Sequence, residues 1–233
     1  MGNLYIVSTP IGNLQDITLR AAGILLDSRV IVAESTSKAG IMLNYLRKTL
    51  PETATKIRGS TPKIISLTED EEENKIPQIM SLLEISDIAL ISEAGTPLIS
   101  DPGFRLVRES IKRGINVVSI PGPTSPITAL TASGLPTDKF LFLGYLPKKT
   151  SKLNEAIDLI KTIKQSNITV ILFESPHRLI ETLETLRSSL GDINIVIARE
   201  LTKIHEELRR EKIFEAIVHF TKNQPKGEFV ILF

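Results

Sequence analysis

The chain has 233 residues, 42% of them hydrophobic and 24% charged, the profile of a water-soluble globular protein of one large or two small domains. Its charges nearly cancel at +1, so no global field draws it to nucleic acid or membrane, and any RNA site has to be a local patch. Cysteine is absent, which removes disulfides and cysteine nucleophiles, and His177, His205 and His219 fall at no metal-ligand spacing.

No apolar run approaches the ~20 residues of a membrane span, and the first residues lack the basic and apolar segments of a signal peptide. These features together read as a cytoplasmic protein without a metal centre. Residues 4–8 are a buried strand by their apolar run. A Pro10/Gly12 loop follows, and Asp16 suits the N-cap of a helix that turns Ile17, Ala21, Ile24 and Leu25 inward. Residues 30–33 form a second strand ending at Glu34, and Ile41, Met42, Tyr45 and Leu46 mark the next helix. Residues 49–62 read as polar and irregular. A third strand at 64–67 leads into the acidic run 69–73, which reads as a solvated face in preference to a helix start.

The strand at 87–91 opens the most informative stretch. Residues 92–104 hold two glycines, two prolines, two acids and three hydroxyls before a helix faced by Phe104, Val107 and Ile111. Ordinary strand–helix connections are shorter. A long polar loop at the carboxyl end of a central strand is where open α/β sheets bind ligands. Here Gly95 lets backbone approach a ligand, and Pro97 and Pro102 stiffen the loop.

A strand at 116–120 then runs into Pro121-Gly122-Pro123-Thr124-Ser125-Pro126, the best domain boundary in the chain. The expected division is an N-terminal α/β domain at 1–120 and a C-terminal α/β domain at 121–233. The second half offers strands at 140–144, 168–173, 193–198 and 228–233 and helices at 127–133, 151–165 and 213–220. Another helix is expected to start with Ser175 at the N-cap and Pro176 at the first helical position. Alternating strands and helices imply mainly parallel sheets covered on both faces.

Polar residues gather at strand ends, but no dinucleotide or P-loop glycine motif and no nucleophile elbow is present. What remains is a reaction that needs positioning and one proton acceptor. Group transfer from an activated donor such as a methyl sulfonium fits.

Seven ordered motifs carry a resemblance over essentially the whole chain. They are the stretch from Ser8-Thr9-Pro10 to Asp16, Ala33-Glu34, Glu93 to Gly103, and Pro121 to Ser125 with Ala132 to Pro136. Phe173-Glu174-Ser175-Pro176-His177-Arg178, Ala198-Arg199-Glu200-Leu201-Thr202-Lys203 and Lys226-Gly227-Glu228 complete the set. In order and spacing they resemble the tetrapyrrole methylase superfamily, and within it the methyltransferases that 2′-O-methylate a cytidine of small-subunit ribosomal RNA.

The resemblance implies two α/β domains with S-adenosylmethionine in the cleft between them, a homodimer, and ribosomal RNA or the assembled small subunit as substrate. It places cofactor contacts at Pro10, Glu93, Ala94, Gly95, Thr96, Ile99, Thr124, Ser125 and Phe173. Candidates for catalysis are Glu34, Asp101, Glu174, Arg199 and Lys203, since a ribose hydroxyl needs a carboxylate or a depressed-pKa lysine beside it. The chain departs from the pattern at Glu34-Ser35, at Ser92-Glu93, in the acidic segment 68–74, and in stopping at Phe233. Two other readings stay open: a superfamily methyltransferase acting on a tetrapyrrole or protein side chain, and a non-catalytic, RNA-associated cofactor binder. RNA is expected over the second domain, on Lys148, Lys149 and Lys152 and on Arg199, Lys203, Arg209 and Arg210.

Overall fold

The computed structural model describes residues 1–50, 61–164 and 166–233. Most of the stretch read as irregular, 49–62, therefore lies outside the described residues. The chain divides into two compact units, Met1–Thr124 and Ser125–Phe233.

The first unit is a five-stranded, wholly parallel sheet in the order β3-β2-β4-β1-β5. Its strands are β1 (Leu4–Val7), β2 (Val30–Ala33), β3 (Lys63–Ser66), β4 (Ile88–Ile91) and β5 (Val117–Ile120). Every residue of β2 and β4 is buried, as expected for central parallel strands covered on both faces. Helices α1 (Leu19–Asp27) and α2 (Thr36–Thr49) supply the core on one face, against Val7, Ile31 and Ala89. Helices α3 (Glu72–Leu83) and α4 (Phe104–Lys112) supply the other, against Leu4, Val32 and Leu90. Alternate residues of one strand thus feed opposite cores.

Two local readings need correction here. Asp16 ends a short 3-10 turn, and it is Thr18 that caps α1 by accepting from the Ala21 N–H at 3.1 Å. The acidic run is a helix start, not a solvated face. The Glu71 carboxylate takes the Thr68 N–H and hydroxyl and pairs with Lys75, while Glu72 is buried and accepts from Leu106 N–H at 3.0 Å.

The second unit begins with α5 (Ser125–Ser133) and contains a five-stranded sheet in the order β6-β7-β10-β8-β9. Its strands are β6 (Phe140–Tyr145), β7 (Thr169–Glu174), β8 (Asn194–Arg199), β9 (Glu207–Lys212) and β10 (Phe229–Leu232). Helices α6 (Thr150–Lys164), α7 (Leu179–Leu190) and α8 (Ile213–Lys222) complete it, packing on Val170, Leu172, Ile195, Ile197, Phe229 and Ile231.

This sheet is mixed rather than mainly parallel. Only β6 and β7 pair in parallel; β10 runs against both β7 and β8, and β9 runs against β8. The strand β9, Glu-Leu-Arg-Arg-Glu-Lys, has no apolar run to announce it. It is an edge strand, where charged side chains protect the open side. Because β10 reverses both β7 and β8, the carboxyl ends of β6, β7 and β8 share one edge of the sheet.

Candidate functional site

At the carboxyl edge of the first sheet, three segments are fastened to one another. Thr9 donates its N–H to Gly95 O at 2.8 Å, and Gly95 returns one to Thr9 O at 3.1 Å. The Thr96 hydroxyl donates to Pro123 O at 3.0 Å and lies 2.9 Å from the Ser8 hydroxyl. Gly122 packs so closely on Ser8 that a Cβ there would stand 2.8 Å from Ser8 Cβ. The ends of β1, β4 and β5 are thereby held as one platform, with Pro10 buried inside it.

The loop after β4 has an unusual backbone. Gly95 and Gly103 have φ of 80° and 118°, and Leu98 and Ser100, which carry side chains, also have positive φ at 75° and 65°. Non-glycine residues hold such conformations only where their surroundings enforce them, and such strain clusters at ligand sites. A Cβ on Gly95 would lie 3.2 Å from Ile11 and 3.7 Å from Pro123 O, and with its positive φ this position favours glycine. Ile99 is exposed at the loop's crest.

Carboxylates line this loop. Glu34, at the end of β2, accepts from Glu93 N–H at 3.2 Å, and Glu93 is ion-paired with Lys38. Burial raises the Glu34 pKa, and Lys38 pulls it back in part. Burial, and then the negative charge of Glu34, push Asp101 up to about 6, against a lowering hydrogen bond from Ser92. Of the five catalytic candidates, Glu34 and Asp101 are thus brought together, with Glu93 beside Glu34. A sulfonium bearing an ammonium group suits a loop that carries carboxylates, hydroxyls and close backbone, so the residues present fit S-adenosylmethionine. Among the described residues, no group of three or more His, Cys, Asp or Glu side chains is placed to hold a metal ion.

The other three candidates lie in the second unit and are occupied. Glu174 is 1% exposed and accepts from Ser175 N–H at 2.7 Å and the Thr182 hydroxyl at 2.6 Å. This corrects the helix start expected at Ser175. Its N–H goes to Glu174, its carbonyl accepts from Arg178 N–H at 3.1 Å, and α7 begins only at Leu179. Arg199 donates to Lys226 O at 2.7 Å and to Glu207 at 3.1 Å. Lys203 reaches both Glu200 and Glu228 at 2.9 Å. Burial alone would depress the Lys203 pKa, but the two carboxylates outweigh it and raise the pKa, which fixes this lysine as a cation and not a base. Of the remaining cofactor candidates, Thr124 closes the first unit and Ser125 opens α5. Phe173 is half-buried, with its ring edge-on to Phe142 at 4.9 Å and to Tyr145 at 5.6 Å.

Residues 3–217 match the family model of the Tetrapyrrole (Corrin/Porphyrin) Methylases. The chain belongs to the tetrapyrrole methylase family. The match spans both the carboxylate-lined loop of the first unit and the Glu174-to-Lys203 segment of the second.

Within the family, the chain is 40% identical over 233 residues to the Ribosomal RNA small subunit methyltransferase I of Thermotoga maritima, covering 100% of this chain and 98% of that protein. It is 42% identical over 232 residues to the protein of that name from a Hydrogenobaculum strain, covering 98% and 94% of the two chains. With the Escherichia coli O157:H7 protein of that name it shares 40% over 235 residues, covering 99% and 77%. Among solved structures, a diphthine synthase matches with a TM-score of 0.73 at 15% identity, covering 99% of this chain and 89% of that one. The uroporphyrin-III-C-methyltransferase of Thermus thermophilus matches with a TM-score of 0.65 at 17% identity, covering 100% and 94%. At such identities these structures establish the tetrapyrrole methylase fold alone.

Proposed function

We propose that this chain is an S-adenosylmethionine-dependent methyltransferase that methylates the 2′-hydroxyl of a cytidine in small-subunit ribosomal RNA. One observation carries the reading: about 40% identity along nearly the whole chain to proteins named for small-subunit ribosomal RNA methylation. The similarity to a tetrapyrrole enzyme and to diphthine synthase is far weaker, at 15–17% identity. In the same reading the chain assembles as a homodimer and takes its RNA free or within the assembled subunit.

S-adenosylmethionine supplies a methyl group already activated on sulfur. Pro10, Glu93, Ala94, Gly95, Thr96 and Ile99 of the first unit, with Thr124, Ser125 and Phe173, would hold it. The interlocked segments at 8–10, 93–96 and 122–123 make that cradle rigid before binding, so positioning costs little on arrival. Transfer to the ribose oxygen would break the methyl–sulfur bond, leave a neutral thioether and require the hydroxyl proton to depart. Asp101 accepts it: its carboxylate is more basic than an exposed aspartate yet largely ionised at neutral pH. Glu34 keeps Asp101 basic through its charge and ties the loop at Glu93 N–H. Glu174, Arg199 and Lys203 order the turn before α7 and the loop after β8. Methyl transfer to hypomethylated small ribosomal subunits tests the reading.

A further inference from the structure

The cations of the second unit divide into two sets. Arg199, Lys203 and Arg209, on β8, β9 and the loop between them, are ion-paired within the protein. Arg199 pairs with Glu207, Lys203 with Glu200 and Glu228, and Arg209 with Glu207 and Glu211. Arg210 donates to the carbonyls of Ser133 and Ala132. Phosphates would have to compete with these internal partners to bind there, which makes this group the less available of the two sets.

Lys148, Lys149 and Lys152 differ. All three are exposed, and among the described residues none has a carboxylate within 4.0 Å. They follow β6, whose last residue, Tyr145, is 52% exposed and sets its ring edge-on to Phe173 at 5.6 Å. Phe173 is braced in turn by Phe142. The segment between Tyr145 and the lysines is pinned by Arg178, which donates to Leu146 O at 3.0 Å from the turn after the neighbouring parallel strand. Exposed His177 stands in that same turn. A braced, half-exposed aromatic ring is therefore followed within seven residues by three exposed lysines that make no ion pair among the described residues. Glu155, three residues beyond Lys152 on α6, is exposed but not ion-paired with it, and Glu174, at the end of the neighbouring strand, is buried and accepts from the Thr182 hydroxyl.

We propose that this edge of the second unit is a single-stranded RNA platform. Tyr145 stacks on one base and Lys148, Lys149 and Lys152 contact the flanking phosphates. Sequence-tolerant binding of single strands combines these two elements, an aromatic face and a cationic track. RNA is favoured over a protein partner because the patch combines a half-exposed ring with three lysines that make no ion pair among the described residues. The proposal rests on the reading of the chain as an RNA methyltransferase and adds the place where RNA is gripped.

The test is fluorescence anisotropy of a short labelled single-stranded RNA with the full chain, across a range of KCl concentrations. For the Lys148→Ala/Lys149→Ala/Lys152→Ala variant, the slope of log affinity against log salt should flatten by about 0.7 for each phosphate no longer neutralised, roughly two in all. Its S-adenosylmethionine affinity, measured by calorimetry, should match the parent. Tyr145→Ala should bind roughly ten-fold more weakly at fixed salt with the slope retained, and Tyr145→Phe should restore binding. An unchanged slope in the lysine variant, or full affinity in Tyr145→Ala, overturns the platform. Methyl transfer to small ribosomal subunits is scored separately. A chain that binds RNA through these residues but methylates no ribosomal RNA refutes the assigned reaction and leaves the platform standing.

Discussion

Asp101 is the residue on which the proposed chemistry turns. Burial and the Glu34 charge lift it to about 6, so its ionised, proton-accepting form grows as pH rises through that value. The rate of methyl transfer at low substrate should therefore climb through pH 6 and level off above about 7. Asp101→Asn should lower the rate by roughly 10²–10⁴-fold and abolish that limb. Glu34→Gln removes the like charge, so the surviving limb should move to lower pH.

Stability runs the other way. A carboxyl whose folded pKa exceeds its unfolded value near 3.8 contributes stability that is full below 3.8 and lost as pH rises through 6. Asp101→Asn should accordingly raise Tm at pH 8 and leave it unchanged at pH 4; an equal shift at both would remove burial as the cause. Gly95 serves binding instead. Gly95→Val places its β-branched side chain at a φ of 80° and 3.2 Å from Ile11, and calorimetry should show S-adenosylmethionine affinity strongly reduced in a protein that still melts cooperatively. The sequence made these residues visible because the loop's glycines, prolines and acids exceed what a connection needs. It left Glu34 and Asp101 in one group with Glu174 and Lys203, because which carboxylates meet protein donors depends on contacts made far along the chain.

Among the elements, α4 shows how a loop built for a ligand is supported elsewhere. Its N-cap, Gly103, has a φ of 118° and no side chain to satisfy the first N–H groups. The carboxylate of Glu72, 4% exposed at the start of α3, supplies the missing acceptor to Leu106 N–H. Glu72→Ala should cost about 1–3 kcal/mol by leaving a buried donor unsatisfied, read as a lower urea midpoint, with Glu72→Gln intermediate. An exposed-charge role would leave the midpoint unmoved. The acidic run gave no sign of this in sequence, since a cap delivered from another helix has no local pattern. The turn at 175–178 and β9 escaped for related reasons. Glu174 captures the N–H that a Ser175 cap would have left in place, and β9 is held by its ladder to β8 and one cross-strand ion pair, Arg199 to Glu207. Helices and strands with apolar periodicity, by contrast, were legible nearly throughout.

At the scale of the whole molecule, strand–helix alternation made two α/β units readable; the chain divides at Thr124/Ser125, four residues beyond the 120/121 division expected from the Pro-Gly-Pro segment. The first unit is the parallel, doubly covered sheet that alternation implies. The second is not, because β10 enters between β7 and β8 and reverses both, a pairing between distant segments that no local pattern encodes. That topology still leaves the carboxyl ends of β6, β7 and β8 at one edge, where the two sets of cations are sorted by their partners rather than by their number.

The central claim is that this chain methylates small-subunit ribosomal RNA using Asp101 as proton acceptor. Transfer of labelled methyl from S-adenosylmethionine to hypomethylated small ribosomal subunits, run with the parent and with Asp101→Asn, tests it most directly. Label is expected on a cytidine ribose with the parent, and a loss of roughly 10²-fold or more with the variant, at unchanged fold. No transfer by the folded parent, or equal transfer by both proteins, would contradict it.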